Sequence, residues 1–120
     1  MSIAKLNTKK IGDLGEDIAC DFLTSNNYKI IIRNYRSRYG EIDIIALDQK
    51  DDFLVFVEVK KKTSDRFGEP SEMINERKIK KIIATAEFFL QENKLDNCQT
   101  RVDAILINNK GLEHIKDITT

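Results

Sequence analysis

The chain lacks the features that mark several classes of protein. Its two cysteines, Cys20 and Cys98, have no metal-type spacing and are expected to be an ordinary reduced pair. Basic and acidic residues number 20 each, so no overall positive field draws the chain toward nucleic acid or membranes. No apolar run approaches the length of a membrane span, and residues 1–10 have no apolar centre of a signal peptide. We therefore expect a soluble, cytoplasmic protein that does not bind membranes, and any polyanion must bind a local patch.

The residues that are present predict a single domain over 1–120, large enough to bury a core. A first helix that ends at Asn26 is predicted by the helical spacing of Ile11, Leu14, Gly15, Ile18, Ala19 and Phe22. A second helix is expected from about Asn75, as its N-cap, to Asn93. The expected order is helix, three strands, helix and two strands, with the strands at residues 28–35, 42–47, 53–59, 102–107 and 112–118.

The hairpin formed by the second and third strands is apolar on both faces. Alternation along each strand predicts one face lined by Ile42, Ile44, Val55, Val57 and Val59, and the other by Ile45, Leu47, Leu54 and Phe56. A sheet that is apolar on both sides needs cover on both sides. We therefore predict an α/β fold of three layers, with one helix on each face of the sheet.

Two acidic residues of this hairpin are expected to face each other. If the strands pair symmetrically about their polar turn, Asp43 lies opposite Glu58 and Glu41 lies opposite Lys60. Opposed carboxylates repel each other, and a cation between them would remove the repulsion. Mg²⁺ suits such a pair because it takes one or two carboxylates and keeps water or phosphate oxygens in its other positions. The pattern predicts a metal site for Mg²⁺ or Mn²⁺ at Asp43 and Glu58, although Glu41 and Lys60 alone could be a surface ion pair worth under ~1 kcal/mol.

Other charged residues are expected to surround this site. Lys60 lies beside Glu58 and could orient a water or stabilise developing charge. Glu16, on the first helix, falls just outside the buried face and could reach the sheet edge. A phosphate-binding track is predicted at Lys61, Lys62, Arg66, Arg36 and Arg38. The second helix is expected to expose Arg77, Lys78, Lys80 and Lys81 to solvent, and His114, with no acidic partner in view, is read as structural.

These residues resemble the restriction-endonuclease-like nuclease superfamily, whose signature is an acid on one strand and acid-x-lysine on the next. The chain is more closely similar to the YraN family of small bacterial proteins with that superfamily fold. The resemblance covers nearly the whole chain and is carried by Gly12-x-x-Gly15-Glu16-x-x-Ala19, Asn34-Tyr35-Arg36, Gly40 to Ala46, Val55 to Lys60, Phe67-Gly68-x-Pro70 and Arg101-Val102-Asp103.

The resemblance implies a three-layer α/β/α fold of order αβββαββ, with a central mixed sheet. It implies that Asp43 and Glu58 bind metal, that Lys60 is the catalytic lysine, and that Glu16 matches the helix glutamate of archaeal Holliday-junction resolvases. Apart from the resemblance, the position of Glu41 two residues before Asp43 predicts that it lies next to the metal-binding acids without binding the metal itself. The sequence departs from the pattern at Ile42, where the superfamily has proline. It departs again at Lys61-Lys62, where the family usually has Thr-Arg, so the bidentate phosphate contact of an arginine is lost.

Three functions follow as hypotheses. The leading one is a Mg²⁺-dependent endonuclease that hydrolyses phosphodiester bonds in branched or damaged DNA, as a homodimer if it follows other branched-DNA nucleases of this fold. The alternative is a non-catalytic nucleic-acid-binding module that retains the nuclease fold. The third is a protein-interaction domain in which the acids form a structural metal site.

Overall fold

The computed structural model describes residues 3–62 and 74–119, with side chains in the first helix from Leu14 onward. The order is αβββαββ, as the sequence predicts. The elements are α1 (Ile3–Ser25), β1 (Tyr28–Ser37), β2 (Gly40–Asp48), β3 (Phe53–Lys61), α2 (Glu76–Glu92), β4 (Thr100–Asn108) and β5 (Gly111–Ile115). Asn75 caps α2 as expected, since its side chain accepts a hydrogen bond of 2.9 Å from the Lys78 N–H. None of the helices, over the residues described, is long and apolar enough to cross a membrane.

The five strands form one mixed sheet in the order β1-β2-β3-β4-β5. Neighbouring strands are antiparallel except β3 and β4, which run parallel because α2 carries the chain from one to the other. The β2–β3 pairing follows the predicted register, from Ile44 opposite Val57 to Asp48 opposite Phe53. The carboxyl ends of β3 and β4 therefore lie together at one end of the sheet.

Each face of the sheet is covered by one helix, which confirms the three-layer prediction. Ala19 and Leu23 of α1 pack on Val55, Val57 and Ile105. On the opposite face, the apolar stripe of α2 forms a second core with the sheet. The helix contributes Ile82, Ala86 and Phe89, and the sheet contributes Ile45, Leu54, Phe56 and Val102. The helices thus bury the sheet from both sides.

The contact face of α1 differs from the predicted stripe. Leu14 is 51% exposed and Ile18 is 40% exposed, whereas Gly15, Ala19 and Leu23 are buried. These three buried residues are spaced by four, and the small side chains at two of them let the helix approach the sheet closely. The prediction that Gly15, Ala19 and Phe22 belong to the contact face of the helix is confirmed, whereas the prediction that Leu14 and Ile18 belong to it was wrong.

Strand alternation fails at Asp43. Ile42 packs in the α2-side core with Ile45, whereas Ile44 packs on the α1 side, so the prediction that Ile42 shares a face with Ile44 was wrong. Across the ladder, Asn34 has a left-handed backbone with φ of +56° between the paired residues Arg33 and Tyr35. An irregularity in both strands at one point breaks the two-residue period. Asp43 lies at that irregularity.

The last strand is shorter than the sequence predicts. It ends at Ile115 rather than at Ile118, and Asp117 has a φ of +57°, a left-handed conformation that an extended strand does not contain. After this bend the N–H of Ile118 donates to the carbonyl of Val102 at 2.8 Å. Ile118 then packs against the α2-side core.

Candidate metal and nucleic-acid site

Asp43 and Glu58 meet where the β2–β3 ladder ends. The last paired residues there are Ile44 and Val57. Beyond them, the Oδ2 atom of Asp43 accepts a hydrogen bond of 2.8 Å from the N–H of Val59, so the side chain replaces a strand carbonyl. The carboxyl groups of Asp43 and Glu58 are hydrogen-bonded to each other. The contact predicted from the hairpin register is therefore present.

Glu58 is buried, with 9% of its surface exposed. Burial first, and then the neighbouring Asp43 carboxyl, raise the pKa of Glu58 from its ordinary value of 4.5 to about 8. Near neutral pH Glu58 therefore keeps its proton, since a negative charge at a buried site beside another carboxyl group is unfavourable. A bound cation could take the place of that proton.

Lys78 of α2 contacts this acid pair, a contact that the sequence analysis missed. Its Nζ atom lies 3.2 Å from Oε2 of Glu58. Burial alone would lower the pKa of Lys78, but the neighbouring acids, Glu58 first and then Asp43 and Glu41, together outweigh this and the pKa is raised. The signal was present in the sequence, because Lys78 precedes the buried Ile82 by one helical turn and so shares its face. Lys78 is thus not part of the solvated outer face.

On the α1 side, Asp43 lines a small cavity with Glu16. The cavity is about 190 Å³ and its other walls are Gly15, Val59 and Lys61. Glu16 also lies 3.5 Å from the guanidinium of Arg33, which keeps its carboxylate at the sheet edge. The acid pair therefore joins the two faces of the sheet, with Asp43 beside α1 and Glu58 beside α2.

The two neighbouring lysines take opposite faces. Side chains alternate along β3, so Lys60 falls on the side of Glu58, and its exposed ammonium has no ion pair among the described residues. Lys61 instead lies on the α1 side against Gly15, where an added Cβ would come within 2.7 Å of its Cδ. Lys61, and not Lys60, shares the cavity with Asp43 and Glu16.

Glu41 does not pair with Lys60 as proposed for a surface ion pair. Its Oε2 lies 3.1 Å from Nε of Arg36, the residue directly across the β1–β2 ladder. Direct cross-strand neighbours are closest, and the β2–β3 ladder has already ended at Ile44. Glu41 is therefore an exposed partner of Arg36.

The predicted phosphate track is only partly described. The N–H of Lys62 donates to Ile107, which extends the β3–β4 pairing by one bond of 2.8 Å. Arg36 pairs with Glu41, and Arg38 donates to the hydroxyl of Tyr39 at 2.9 Å. Arg66 lies outside the described residues, as does the Phe67-Gly68-x-Pro70 segment.

The carboxyl groups of Asp43 and Glu58 suit a hard divalent cation but provide only part of its coordination shell. Asp43 and Glu58 supply two adjacent carboxyl groups, which satisfies the modest demand of Mg²⁺ for protein ligands. Among the side chains that the structure describes, however, no three acidic, histidine or cysteine groups come together in a way that could hold a metal ion. The remaining coordination positions would have to be filled by water and by phosphate oxygens.

Comparison with known proteins places the chain in a family. The model of a family described as "Uncharacterised protein family UPF0102" matches residues 15–107. The chain belongs to this family. A UPF0102 protein of Persephonella marina is 45% identical over 106 residues, covering 88% of this chain and 90% of that protein. Another, from Clostridioides difficile, is 41% identical over 112 residues and covers 92% and 96%.

Relatives at this similarity span the site as well as the fold. A UPF0102 protein of Fusobacterium nucleatum is 37% identical over 113 residues, covering 94% of this chain and 93% of that protein. The stretch that the family model matches contains Glu16, Asp43, Glu58 and Lys60. These family names state no reaction, so the chemistry of this UPF0102 member is argued from its own residues.

A second charged cluster lies at the opposite end of the sheet, below the C-terminal half of α1. Arg101 bonds Asp103 through Nε at 2.9 Å and Asp48 through a terminal nitrogen at 3.2 Å, and it donates to the Tyr28 hydroxyl at 2.8 Å. His114 Nε2 lies 2.8 Å from Asp103, so the prediction that His114 has no acidic partner was wrong. Burial would raise the pKa of Asp103, but hydrogen bonds from His114 and Arg101 lower it. The cluster ties β2, β4 and β5 together.

Proposed function

We propose that this protein is a Mg²⁺-dependent nuclease that hydrolyses phosphodiester bonds in DNA. The observation that carries the proposal is the contact between the carboxyl groups of Asp43 and Glu58 at the end of the hairpin. A second carboxyl group beside the buried Glu58 costs stability, and a role in binding a cation explains why the chain keeps the two together. Glu16 and Lys61 in the adjoining cavity add a third acid and a cation within the same region.

In this proposal Asp43 and Glu58 hold the metal, which on binding would activate a water and offset charge on the phosphate. The N–H of Val59 orients the Asp43 carboxyl through its 2.8 Å hydrogen bond. Lys78 balances the charge of Glu58 from the α2 side. Lys60 orients the attacking water or stabilises the developing charge. Glu16 adds an acidic group to the site from α1.

Two further observations support the proposal. The order αβββαββ with a helix on each face agrees with the fold that the superfamily resemblance implies. The strand irregularity brings Asp43 out of the regular ladder and turns its carboxyl toward β3. Membership of the restriction-endonuclease-like superfamily, and of the YraN family within it, is part of the proposal, as is the preference for branched or damaged DNA.

The test is a cleavage assay with purified protein on linear, nicked and branched DNA, in Mg²⁺, in Mn²⁺ and in EDTA. We expect metal-dependent cleavage that Asp43→Asn and Glu58→Gln reduce to background. Glu87→Gln is the matched control, because it removes an exposed acid on the solvent side of α2. Metal-independent cleavage, or full activity of Asp43→Asn, would contradict the proposal, as would the absence of both metal binding and cleavage.

The same assay separates the two lysines. Lys60→Ala should lose cleavage and Lys61→Ala should retain most of it if Lys60 assists the water. The reverse result would assign that role to Lys61, which shares the cavity with Asp43 and Glu16. Circular dichroism of each variant would show that the fold is intact.

A second candidate is a nucleic-acid-binding module without catalysis. It is favoured by the ion pair between Lys78 and Glu58, since an ammonium at 3.2 Å can serve in place of a metal as the counter-charge of the acid pair. Nucleic-acid binding that persists in EDTA and in Glu58→Ala, with no cleavage under any metal, would support this candidate.

A further inference from the structure

A positively charged surface lies beside the acid pair on α2. Arg77, Lys80 and Lys81 line an open depression of about 510 Å³ together with Tyr39, Glu76 and Ala84. We call Arg77, Lys80, Lys81, Arg38 and Tyr39 the α2 basic surface. Among the described residues neither Arg77 nor Lys81 forms an ion pair, and Lys80 has only a 4.0 Å contact with Glu76. Because the whole chain carries no net charge, this local excess is notable.

The fold holds an aromatic ring at the rim of this depression. Tyr39, in the turn between β1 and β2, is 42% exposed. Its ring lies 5.6 Å from that of Phe88 on α2, and the Arg38 guanidinium lies 5.0 Å from its centroid. The Tyr39 ring is therefore held in place by its neighbours but still exposes aromatic surface to solvent.

The position of the turn depends on Gly40. A Cβ at this residue would lie 3.1 Å from Oγ1 of Thr85 and 3.7 Å from Cβ of Lys81. The missing side chain lets the β1–β2 turn rest on α2. On the helix, Arg77, Lys81, Ala84 and Phe88 follow one stripe toward the turn. Lys78, the neighbour of Arg77, is the residue that reaches Glu58.

We propose that the α2 basic surface binds an unpaired stretch of nucleic acid, with Arg77, Lys80 and Lys81 contacting phosphates and Tyr39 stacking on a base. The inference rests on the proposed function, because it names the part of the substrate that leads to the acid pair. Cationic grooves that contain exposed aromatic rings suit single strands, since every unpaired base offers a face for stacking. A duplex offers the same phosphates but keeps its bases stacked on each other.

The test measures binding rather than cleavage. Fluorescence anisotropy in EDTA compares labelled oligothymidylate with a duplex of equal length over a range of salt concentrations. We expect tighter binding of the single strand. Changing Arg77, Lys80 and Lys81 together to Gln should lower the salt slope by about 2, at roughly 0.7 for each lost phosphate contact on a single strand.

A matched control removes the same charge elsewhere. Lys29, Lys50 and Lys94 are exposed at the other end of the domain, and changing all three to Gln should leave the salt slope nearly unchanged. At Tyr39, a change to Leu should weaken single-strand binding by about fivefold or more, whereas a change to Phe should preserve it. Equal thermal stability of the Leu and Phe variants excludes a folding defect.

Three results would overturn the inference. The two triple variants could bind equally well, the Tyr39→Leu variant could bind like Tyr39→Phe, or polyglutamate could displace oligothymidylate as effectively as unlabelled oligothymidylate does. The last result would mark a surface for acidic polypeptides. If the cleavage assay fails, these binding results still stand. If the protein cleaves DNA but the triple variant and Tyr39→Leu bind as the parent protein does, only this inference is overturned.

Discussion

Asp43 and Glu58 are kept in contact although the contact raises the cost of ionising Glu58. With burial, this contact raises the pKa of Glu58 to about 8. Above its ordinary pKa of 4.5 the unfolded chain releases a proton that the folded protein retains, so ionisation favours unfolding increasingly from pH 4.5 to about 8. The acid pair is thus a local weakness in the apo protein, of the kind found at functional sites.

The variant Glu58→Gln should therefore be more stable than the parent protein in EDTA at pH 8.5, by on the order of 1 kcal/mol, because glutamine removes the cost of ionising Glu58, about 1.4 kcal/mol for each pKa unit, while the loss of the Lys78 ion pair offsets a large part of that gain. At pH 4.5 the difference should be small. Urea denaturation at both pH values measures it. Glu87→Gln, at an exposed residue of α2, serves as the control. A Glu58→Gln variant that is less stable at pH 8.5 contradicts this explanation.

Asp103 shows the opposite electrostatic situation, because its carboxylate is fully buried yet well partnered. Its pKa is lowered, since hydrogen bonds from His114 and Arg101 outweigh the effect of burial. The stability that it contributes is complete above its ordinary pKa of 3.8 and is lost as the pH falls through the lower value in the folded protein.

Asp103→Asn should lower the free energy of unfolding by about 3 kcal/mol at pH 7, because Arg101 and His114 lose a buried charged partner. The deficit should shrink as the pH falls below 3.8, where the unfolded aspartate is protonated. Urea titrations from pH 7 to acid measure this. The same substitution at the exposed Asp96 is the control, and an equal effect there would refute the assignment.

The β1–β2 turn and α2 act together, because the turn rests on the helix at Gly40. Two glycines allow a matched comparison, since Gly40 has a φ of +152° and Gly111 has a φ of +153°. A Cβ at Gly111 meets nothing within 4 Å, whereas at Gly40 it meets Thr85 and Lys81. Backbone strain is common to both, and only Gly40 adds a packing conflict.

Alanine at either glycine should destabilise the protein, and Gly40→Ala should cost about 1 kcal/mol more than Gly111→Ala, since overpacking adds to the strain. Thermal melts of the two variants provide the comparison. If the turn holds Tyr39 in place through α2, Gly40→Ala should also weaken oligothymidylate binding. Equal stability losses would show that the turn does not depend on close approach to α2.

Across the whole domain, the sheet is protected at its centre and open at its sides. β3 has a neighbour on each side and helices on both faces, while β1 and β5 are edge strands. Hydrogen exchange should therefore be slowest for amides of β3 and β4 and faster in β5, which spans only five residues. Mass spectrometry of exchanged peptides measures this, and equal protection of β5 and β3 would contradict it.

Several features of the site could be predicted from the sequence because they depend on near neighbours. A short polar turn fixes the register of a hairpin, so the contact of Asp43 with Glu58 followed from the spacing of the two strands. The N-cap Asn75 and the apolar stripe of α2 followed from local spacing for the same reason.

Other features could not be predicted because they depend on residues far apart in the chain. Nothing local indicates that the backbone irregularity at Asn34 and Asp43 moves Ile42 to the other face. The partners of His114 and Arg101 come from β2, β4 and the start of β1, and strand adjacency is needed to bring them together.

The sequence by itself determined the order of helices and strands, the hairpin and the opposed acids, because periodicity and short-range pairing specify these. Only the tertiary structure decided which side chains contact Asp43 and Glu58. The packing of α1 brings Glu16 and Lys61 to Asp43, and the packing of α2 brings Lys78 to Glu58. These contacts join residues from elements that touch only after the sheet has buried both of its faces, so no local pattern records them.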